Sequence, residues 1–161
     1  RKCPYCDFYS ETELSLTEAY TQAVIRNIKQ RKAYENKLYL DTIYFGGGTP
    51  SLLTADQVSR ILSAVNIAGN AEITMECNPN SVTAQYLSDI FSAGVNRLSF
   101  GIQSLNDDEL KSLGRLHDSQ TAAEAVRTAY SAGFRKPCVS FRFLLLQQYL
   151  DCLSAAFFQT F

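Results

Sequence analysis

The sequence lacks the features that several classes of protein require. No uninterrupted apolar run is long enough to span a bilayer, and no apolar segment is followed by a small-residue cleavage site. No lysine- or arginine-rich run is present, and 15 basic residues against 16 acidic ones leave a net charge of −1. Because nucleic-acid binding depends on neutralising phosphates, we expect no nucleic-acid partner. The chain also has no initiating methionine, and we interpret it as an internal fragment of a soluble protein.

Cysteine and histidine are sparse. Of five cysteines only Cys3 and Cys6 lie close together, and the single histidine is His117. An odd number of cysteines with one close pair does not indicate a disulfide framework, and it favours a reducing compartment. We therefore expect a cytoplasmic or organelle-matrix location, and of these we predict the cytoplasm. The isolated cysteines are expected to be small buried residues: Cys77, Cys138 and Cys152.

Strand-like and helix-like segments alternate along the chain, which has the composition of a globular domain, with 46% hydrophobic and 19% charged residues. Periodicity predicts strands at 38–45, 71–79, 95–104 and 138–146. Periodicity and capping signals predict helices at 15–32, 54–68, 83–93, 106–114 and 118–133.

The predicted helix ends repeat two signals. Capping boxes pair Ser15 with Glu18 and Thr54 with Gln57 at two N-termini. Three helices are predicted to end at the same glycine cap: Gly69, Gly94 and Gly133. Strands that alternate with helices imply an α/β fold with a parallel sheet and right-handed crossovers. The pattern fits both an open doubly wound sheet and part of a barrel.

In either fold, functional residues collect beyond the C-terminal ends of the strands. The turn at 46–50 (GGGTP) lies there, although it lacks the Lys-Ser/Thr of a P-loop and a tight turn alone would explain it. Glu76 alternates with apolar residues in a predicted parallel strand, and parallel sheets are usually covered on both faces. We therefore expect a cationic or hydrogen-bonding partner for its carboxylate. Asn78, Gln103 and the Cys3/Cys6 loop are predicted to lie at the same edge. A contact with a loop backbone is the simpler interpretation of Gln103, and a surface cation after a helix end is the simpler interpretation of Arg115.

The Cys3 and Cys6 pair has three interpretations. A zinc site needs four ligands, but the chain has neither a second CxxC nor an HxxxH motif. A redox dithiol needs electropositive surroundings, which Asp7 and the following aromatic residues do not supply. Iron–sulfur ligation is favoured on the condition that a third cysteine precedes Arg1.

Four segments in order carry a resemblance: KCPYCDFYS, YFGGGTPSLL, ITMECNPNS and GVNRLSFGIQSLNDDELKSLGRLHD. They resemble the radical S-adenosylmethionine (SAM) family, in the branch that contains oxygen-independent coproporphyrinogen III oxidase and the haem chaperone HemW. The resemblance covers residues 1 to about 135. It implies a partial (βα) barrel of radical SAM type with parallel strands, incomplete at both ends.

The resemblance implies two cofactors, a 4Fe-4S cluster and SAM. In the family's CxxxCxxC motif, Cys3 and Cys6 match the second and third cysteines, so the first would precede Arg1. One iron of the cluster is left open for the amino and carboxylate groups of SAM. The positions that match the family's SAM contacts are Tyr5, Gly47, Gly48, Thr49, Glu76, Gln103 and Arg115.

The resemblance divides the chain in two. Residues 1–136 are expected to be a fragment of the radical SAM core. Residues 137–161 are expected to be a divergent apolar tail, because Ser140 stands where the family has an Asp and no Gly-Leu-Pro turn follows. We interpret this tail as the result of a truncation or a shift in reading frame.

Phe8 favours the HemW group, since the oxidase motif carries a fourth cysteine at that position. The resemblance then implies haem or a porphyrin as the small-molecule partner. It also implies a one-electron donor such as flavodoxin or ferredoxin, and a membrane-associated haem acceptor for the full-length protein. Oxidative decarboxylation of coproporphyrinogen III and an inactive fragment are the alternatives.

Overall fold

The computed structural model describes residues 6, 13–32, 38–135 and 137–141. Five α-helices and four strands alternate in this part of the chain, except that α4 and α5 follow one another between β3 and β4. Their bounds are α1 (Thr17–Lys32), β1 (Leu40–Phe45), α2 (Ala55–Ser63), β2 (Ile67–Cys77), α3 (Ala84–Ser92), β3 (Arg97–Gln103), α4 (Asp107–Ser112), α5 (Ser119–Ser131) and β4 (Cys138–Phe141). The predicted α/β alternation is therefore confirmed.

The strands form one parallel sheet in the order β1-β2-β3-β4 among the described residues. Strands that are consecutive in the sequence are thus adjacent in the sheet. This is expected when each helical crossover returns the chain to the end of the sheet where the strands begin. Because all four strands run in one direction, their C-terminal ends lie at one edge. The predicted end of the fourth strand at residue 146 lies outside the described residues.

The apolar core lies on one face of the sheet. Alternate residues of β2 and β3, including Met75 and Phe100, are fully buried there against helix residues such as Val58, Ile90 and Val126. The intervening residues point to the opposite face and are largely polar: Thr42, Tyr44, Glu72, Thr74, Glu76, Arg97, Ser99 and Gln103. The sheet therefore has one packed face and one face that carries hydrogen-bonding groups.

Three of the predicted helix-end signals are confirmed, and each of them involves residues that are close together in the sequence. The Thr54 side chain accepts from the Gln57 backbone, and the Gln57 side chain accepts from the Thr54 backbone, so this capping box is confirmed. Gly94 and Gly133 both have positive φ (115° and 109°) directly after a helix, which confirms these two caps.

Two of the predicted helix ends are wrong. Ser15 lies in a 3₁₀ turn, and its hydroxyl bonds to Glu13, whereas Glu18 pairs with Arg60 of α2 (Oε1 to Nη2, 2.6 Å). The longer-range ion pair thus replaces the capping box. Helix α2 ends at Ser63, and Gly69 lies inside β2 rather than at a cap. No helix among the described residues is both long and apolar enough to cross a membrane.

Candidate functional site

The C-terminal ends of the first three strands bring the predicted polar residues together. The 46–50 turn follows β1, Glu76 and Asn78 lie at the end of β2, and Gln103 ends β3. Contacts between side chains connect these ends, and they involve the turn, β2 and the segment after α4.

Glu76 has a hydrogen-bonding partner for each carboxylate oxygen. The Tyr44 hydroxyl donates to Oε1 at 2.8 Å, and the Gly47 backbone N–H donates to Oε2 at 3.2 Å. The side chain is half-buried, so the expectation that it needs hydrogen-bonding partners is confirmed. Partial desolvation of the Tyr44 hydroxyl and its bond to Glu76 raise the pKa of Tyr44.

The glycine turn leaves open space beside this carboxylate. Gly47 has a φ of 115°, which favours glycine, and a Cβ built on it meets no atom within 4 Å. A Cβ on Gly46 would instead lie 2.8 Å from the Tyr44 ring. The turn therefore exposes backbone at Gly47 and packs closely at Gly46.

Asn78 connects the turn to the segment after α4. Its Nδ2 donates to Thr49 Oγ1 at 3.4 Å, and its Oδ1 accepts from Arg115 Nη2 at 2.6 Å. The same Arg115 nitrogen lies 2.6 Å from the Gly101 carbonyl oxygen. Arg115 thus spans the ends of β2 and β3, so it is not the simple surface cation of the alternative interpretation.

Gln103 has an unusual backbone conformation. Its φ of 75° is the only positive value at a non-glycine residue in the described part of the chain. Such conformations cost free energy and are found where the surrounding structure fixes them, often at functional sites. Its Nε2 lies 3.2 Å from the position of a Cβ built on Gly101, on the side where Arg115 and Asn78 also approach. The end of β3 is therefore held within the same group of side chains.

His117 is a residue of this site that sequence reasoning missed. It is 5% exposed, and its Nε2 lies 3.0 Å from the Ile102 carbonyl oxygen, to which it donates when that nitrogen carries the proton. Burial, and then the charge of Arg115, lower the pKa of His117, so the neutral ring is favoured. Its place two residues after Arg115 in the GRLHD segment is the only signal for it in the sequence.

The predicted metal ligands are described only in part. Cys6 is a free, half-buried cysteine, while Cys3 and Tyr5 lie outside the described residues. Within the described residues no group of three histidine, cysteine or acidic side chains is arranged to hold a metal ion. Cys77 is buried as expected, and burial raises the pKa of its thiol to about 12, whereas Cys138 is only half-buried.

The chain belongs to the radical SAM superfamily, since the family model matches residues 1–157. Within it, the chain lies in the branch that contains HemW and coproporphyrinogen III oxidase. It is 40% identical over 141 residues to the haem chaperone HemW of Escherichia coli, covering 84% of this chain and 37% of that protein. It is 36% identical over 136 residues to the mitochondrial radical S-adenosyl methionine domain-containing protein 1 of Bos taurus, covering 79% and 31%.

The fold also resembles a solved structure. Coproporphyrinogen III oxidase (HemN) from Escherichia coli, a radical SAM enzyme, superposes with a TM-score of 0.75 at 22% identity, over 86% of this chain and 33% of that chain. The four parallel strands thus correspond to part of a radical SAM barrel, as predicted. The chain spans about a third of the length of these relatives.

The described residues fit the chemistry of one of the two cofactors that the family implies. SAM carries a cationic sulfonium, an amino-acid group and an adenosine. The Glu76 carboxylate offers a negative charge, and the open backbone at Gly47 gives room for a ligand to approach it. For the 4Fe-4S cluster, Cys6 supplies a thiol of the required type, and the rest of the ligand set lies outside the described residues.

Proposed function

We propose that this chain is the SAM-binding part of a radical SAM protein with a 4Fe-4S cluster. The observation that carries the proposal is the Glu76 carboxylate, which is held by two donors beside the open Gly47 turn at the C-terminal edge of a parallel sheet. Membership of the superfamily supports it. Cys3 and Cys6 are the proposed cluster ligands, together with a cysteine four residues before Cys3.

The proposed SAM contacts divide by chemistry. Glu76 faces the cationic end of the ligand, and Arg115 and Gln103 are donors for its carboxylate or ribose. Tyr5, between the two cysteines, is the remaining side-chain contact. The backbone contacts are Gly47, Gly48 and Thr49.

When bound, the cluster and SAM supply one-electron cleavage of the sulfonium and a radical that abstracts hydrogen from a substrate. The residues of this chain bind and orient. Glu76 cannot turn freely, because Tyr44 and Gly47 each hold one of its oxygens. Arg115 keeps the ends of β2 and β3 together through Asn78 and the Gly101 carbonyl group, which fixes the distance across the site.

We further propose a HemW-like haem chaperone function for the whole protein. Phe8 in place of a fourth cysteine and the HemW relatives support this choice. Haem or a porphyrin would be the small-molecule partner, with a flavodoxin- or ferredoxin-type electron donor, a membrane-associated haem acceptor and a cytoplasmic location. The division into a radical SAM core of residues 1–136 and a divergent tail of residues 137–161 stays a proposal, and β4 at the start of that tail still pairs with β3 in the sheet.

Two carboxylate variants test the SAM site. The chain is reconstituted with iron and sulfide under anaerobic conditions, with an excess of a small thiol, and SAM binding is measured by equilibrium dialysis. We expect Glu76→Gln to weaken binding about tenfold or more, since a charge-assisted contact is lost. Glu72→Gln is the matched control, because Glu72 lies on the same strand and face and pairs with Arg97. Equal affinities in the two variants would contradict the proposal.

The cysteine pair has its own test. Cys6→Ser is expected to abolish the absorbance and the EPR signal of the reconstituted cluster, whereas Cys138→Ser leaves them unchanged. A cluster of undiminished occupancy in Cys6→Ser would remove Cys6 from the ligand set. Failure of the wild-type chain to hold a cluster would support the inactive-fragment alternative.

Haem chaperone and oxidase are separated with the full-length protein. It is incubated anaerobically with SAM, a reductant and either haem or coproporphyrinogen III. The chaperone function predicts stoichiometric haem binding, seen as a shifted Soret band, and no protoporphyrinogen. Formation of protoporphyrinogen without haem binding would establish the oxidase instead.

A further inference from the structure

Tyr44 is a residue of this site to which neither the motif nor the family resemblance gives a role. It lies in β1 with its ring on the polar face of the sheet, opposite Thr74 in the register. Its hydroxyl donates to Glu76 Oε1 at 2.8 Å, one step further along β2 on the same face. Tyr44 therefore connects β1 to β2 at the level of the carboxylate.

Gly46 leaves the room that the Tyr44 ring needs to reach Glu76. A Cβ built on Gly46 would lie 2.8 Å from Cε1 and 3.0 Å from Cδ1 of the ring, closer than such atoms normally approach. Gly46 does not have the positive φ of Gly47, so alanine would suit the backbone at this position. Gly46 therefore makes room for the Tyr44 ring, whereas Gly47 allows the positive φ of the turn.

The two donors together fix the plane of the carboxylate. Gly47 N–H holds Oε2, and without Tyr44 the other oxygen would be free to rotate about that single contact. We propose that Tyr44 is a positioning residue of the SAM site, whose phenol orients Glu76 toward the cationic end of the ligand. This inference rests on the proposed function of Glu76.

The first experiment measures the binding of SAM and of methylthioadenosine by equilibrium dialysis, on the chain reconstituted anaerobically with iron and sulfide. Tyr44→Phe keeps the ring and removes the donor, and we expect it to weaken SAM binding about tenfold, as for loss of a hydrogen bond to a charged group. Gly46→Ala displaces the ring and should weaken it to a similar extent. Tyr39→Phe, at a 65% exposed tyrosine just before β1, is the control and should change affinity less than twofold.

The second ligand shows whether Tyr44→Phe disturbs only the orientation of Glu76 or the whole binding site. Methylthioadenosine keeps the adenine and ribose of SAM and lacks its sulfonium charge and amino-acid group. Tyr44→Phe should change its affinity less than twofold, because Glu76 acts on the charged end. Equal losses for both ligands, or no loss for SAM, would overturn the positioning role.

A third measurement tests the contact without any ligand. Titration of ¹³C-labelled tyrosine by NMR, with the Tyr44 signal assigned from Tyr44→Phe, should show a lower pKa for Tyr44 in Glu76→Gln than in the wild type. An unchanged Tyr44 pKa would overturn the contact and the inference with it. A shifted pKa with full SAM affinity in Glu76→Gln would instead contradict the proposed function of Glu76.

Discussion

At the scale of single residues, the sequence could predict that Glu76 needs partners but not which residues supply them. The need follows from a carboxylate that is partly buried in a parallel strand, although the described residues form an apolar core on only one face of the sheet. The identity of Tyr44 depends on the register of β1 against β2, and a shift of one residue would turn its ring to the other face. Register is decided by the packing of the whole sheet, so the local pattern could not provide it.

His117 shows the same limit for a buried polar residue. Its partner is the Ile102 carbonyl group, 15 positions earlier in the chain, at the strand end where β3 loses its regular pairing with β4. Only the return of the chain after α4 brings the two together. His117 thus supports the positive φ of Gln103 from one side, while Arg115 holds the Gly101 carbonyl oxygen.

His117 predicts a pH dependence of stability. Its pKa is lowered in the folded chain below the usual 6.5, so below that pH the unfolded chain binds a proton that the folded chain resists. The contribution of His117 to stability is therefore fully present above pH 6.5 and is lost as the pH falls toward the folded pKa. His117→Gln, whose amide can also donate to Ile102, should lack this slope in urea unfolding at pH 7.5, 6.5 and 5.5. His117 is the only histidine, so parallel slopes in variant and wild type would contradict the assignment.

At the scale of elements, helix ends were predictable where the signal and its partner are near in sequence. The Thr54 and Gln57 box and the Gly94 and Gly133 caps need only three to five residues to form. Glu18 had a competing partner, Arg60, which is 42 positions away. A long-range ion pair is invisible to a local pattern, and here it connects α1 to α2.

Thr54 gives a test of the capping argument. Thr54→Ala removes the side-chain acceptor for Gln57 N–H at the start of α2, and we expect a loss of about 1 kcal/mol in the free energy of unfolding. Ser88→Ala, at an exposed position inside α3, is the control and should be neutral or slightly stabilising. Urea denaturation of both variants measures the difference. A loss in Ser88→Ala as large as that in Thr54→Ala would contradict the cap.

At the scale of the whole molecule, alternation was enough to predict a parallel α/β sheet, and the four motifs were enough to predict the radical SAM barrel type. Strand composition alone could not predict that one face of the sheet packs into the core and that the other carries the hydrogen bonds of the site. Alternate residues of β2 and β3 pack into one core, and the residues between them carry the hydrogen bonds of the site. The packing of the core therefore determines where the side chains of the polar face lie.

Ile90 tests the role of this core. It is fully buried where α3 packs on the sheet, so Ile90→Ala should lower the free energy of unfolding by about 2–5 kcal/mol. Leu14→Ala, at a 56% exposed leucine, is the control and should change it by less than about 0.5 kcal/mol. Urea denaturation compares the two. A cost below about 1 kcal/mol for Ile90→Ala would show that the core does not pack as described.

We propose that SAM binds at the C-terminal edge of this sheet next to a cluster ligated by Cys3 and Cys6. The most direct measurement is frozen-solution EPR of the anaerobically reconstituted and reduced chain, recorded with and without SAM. We expect SAM to shift the g-values of the reduced cluster, and methylthioadenosine, which lacks the chelating amino-acid group, to leave them unchanged. A cluster spectrum that stays unchanged at saturating SAM would contradict binding of SAM at the cluster.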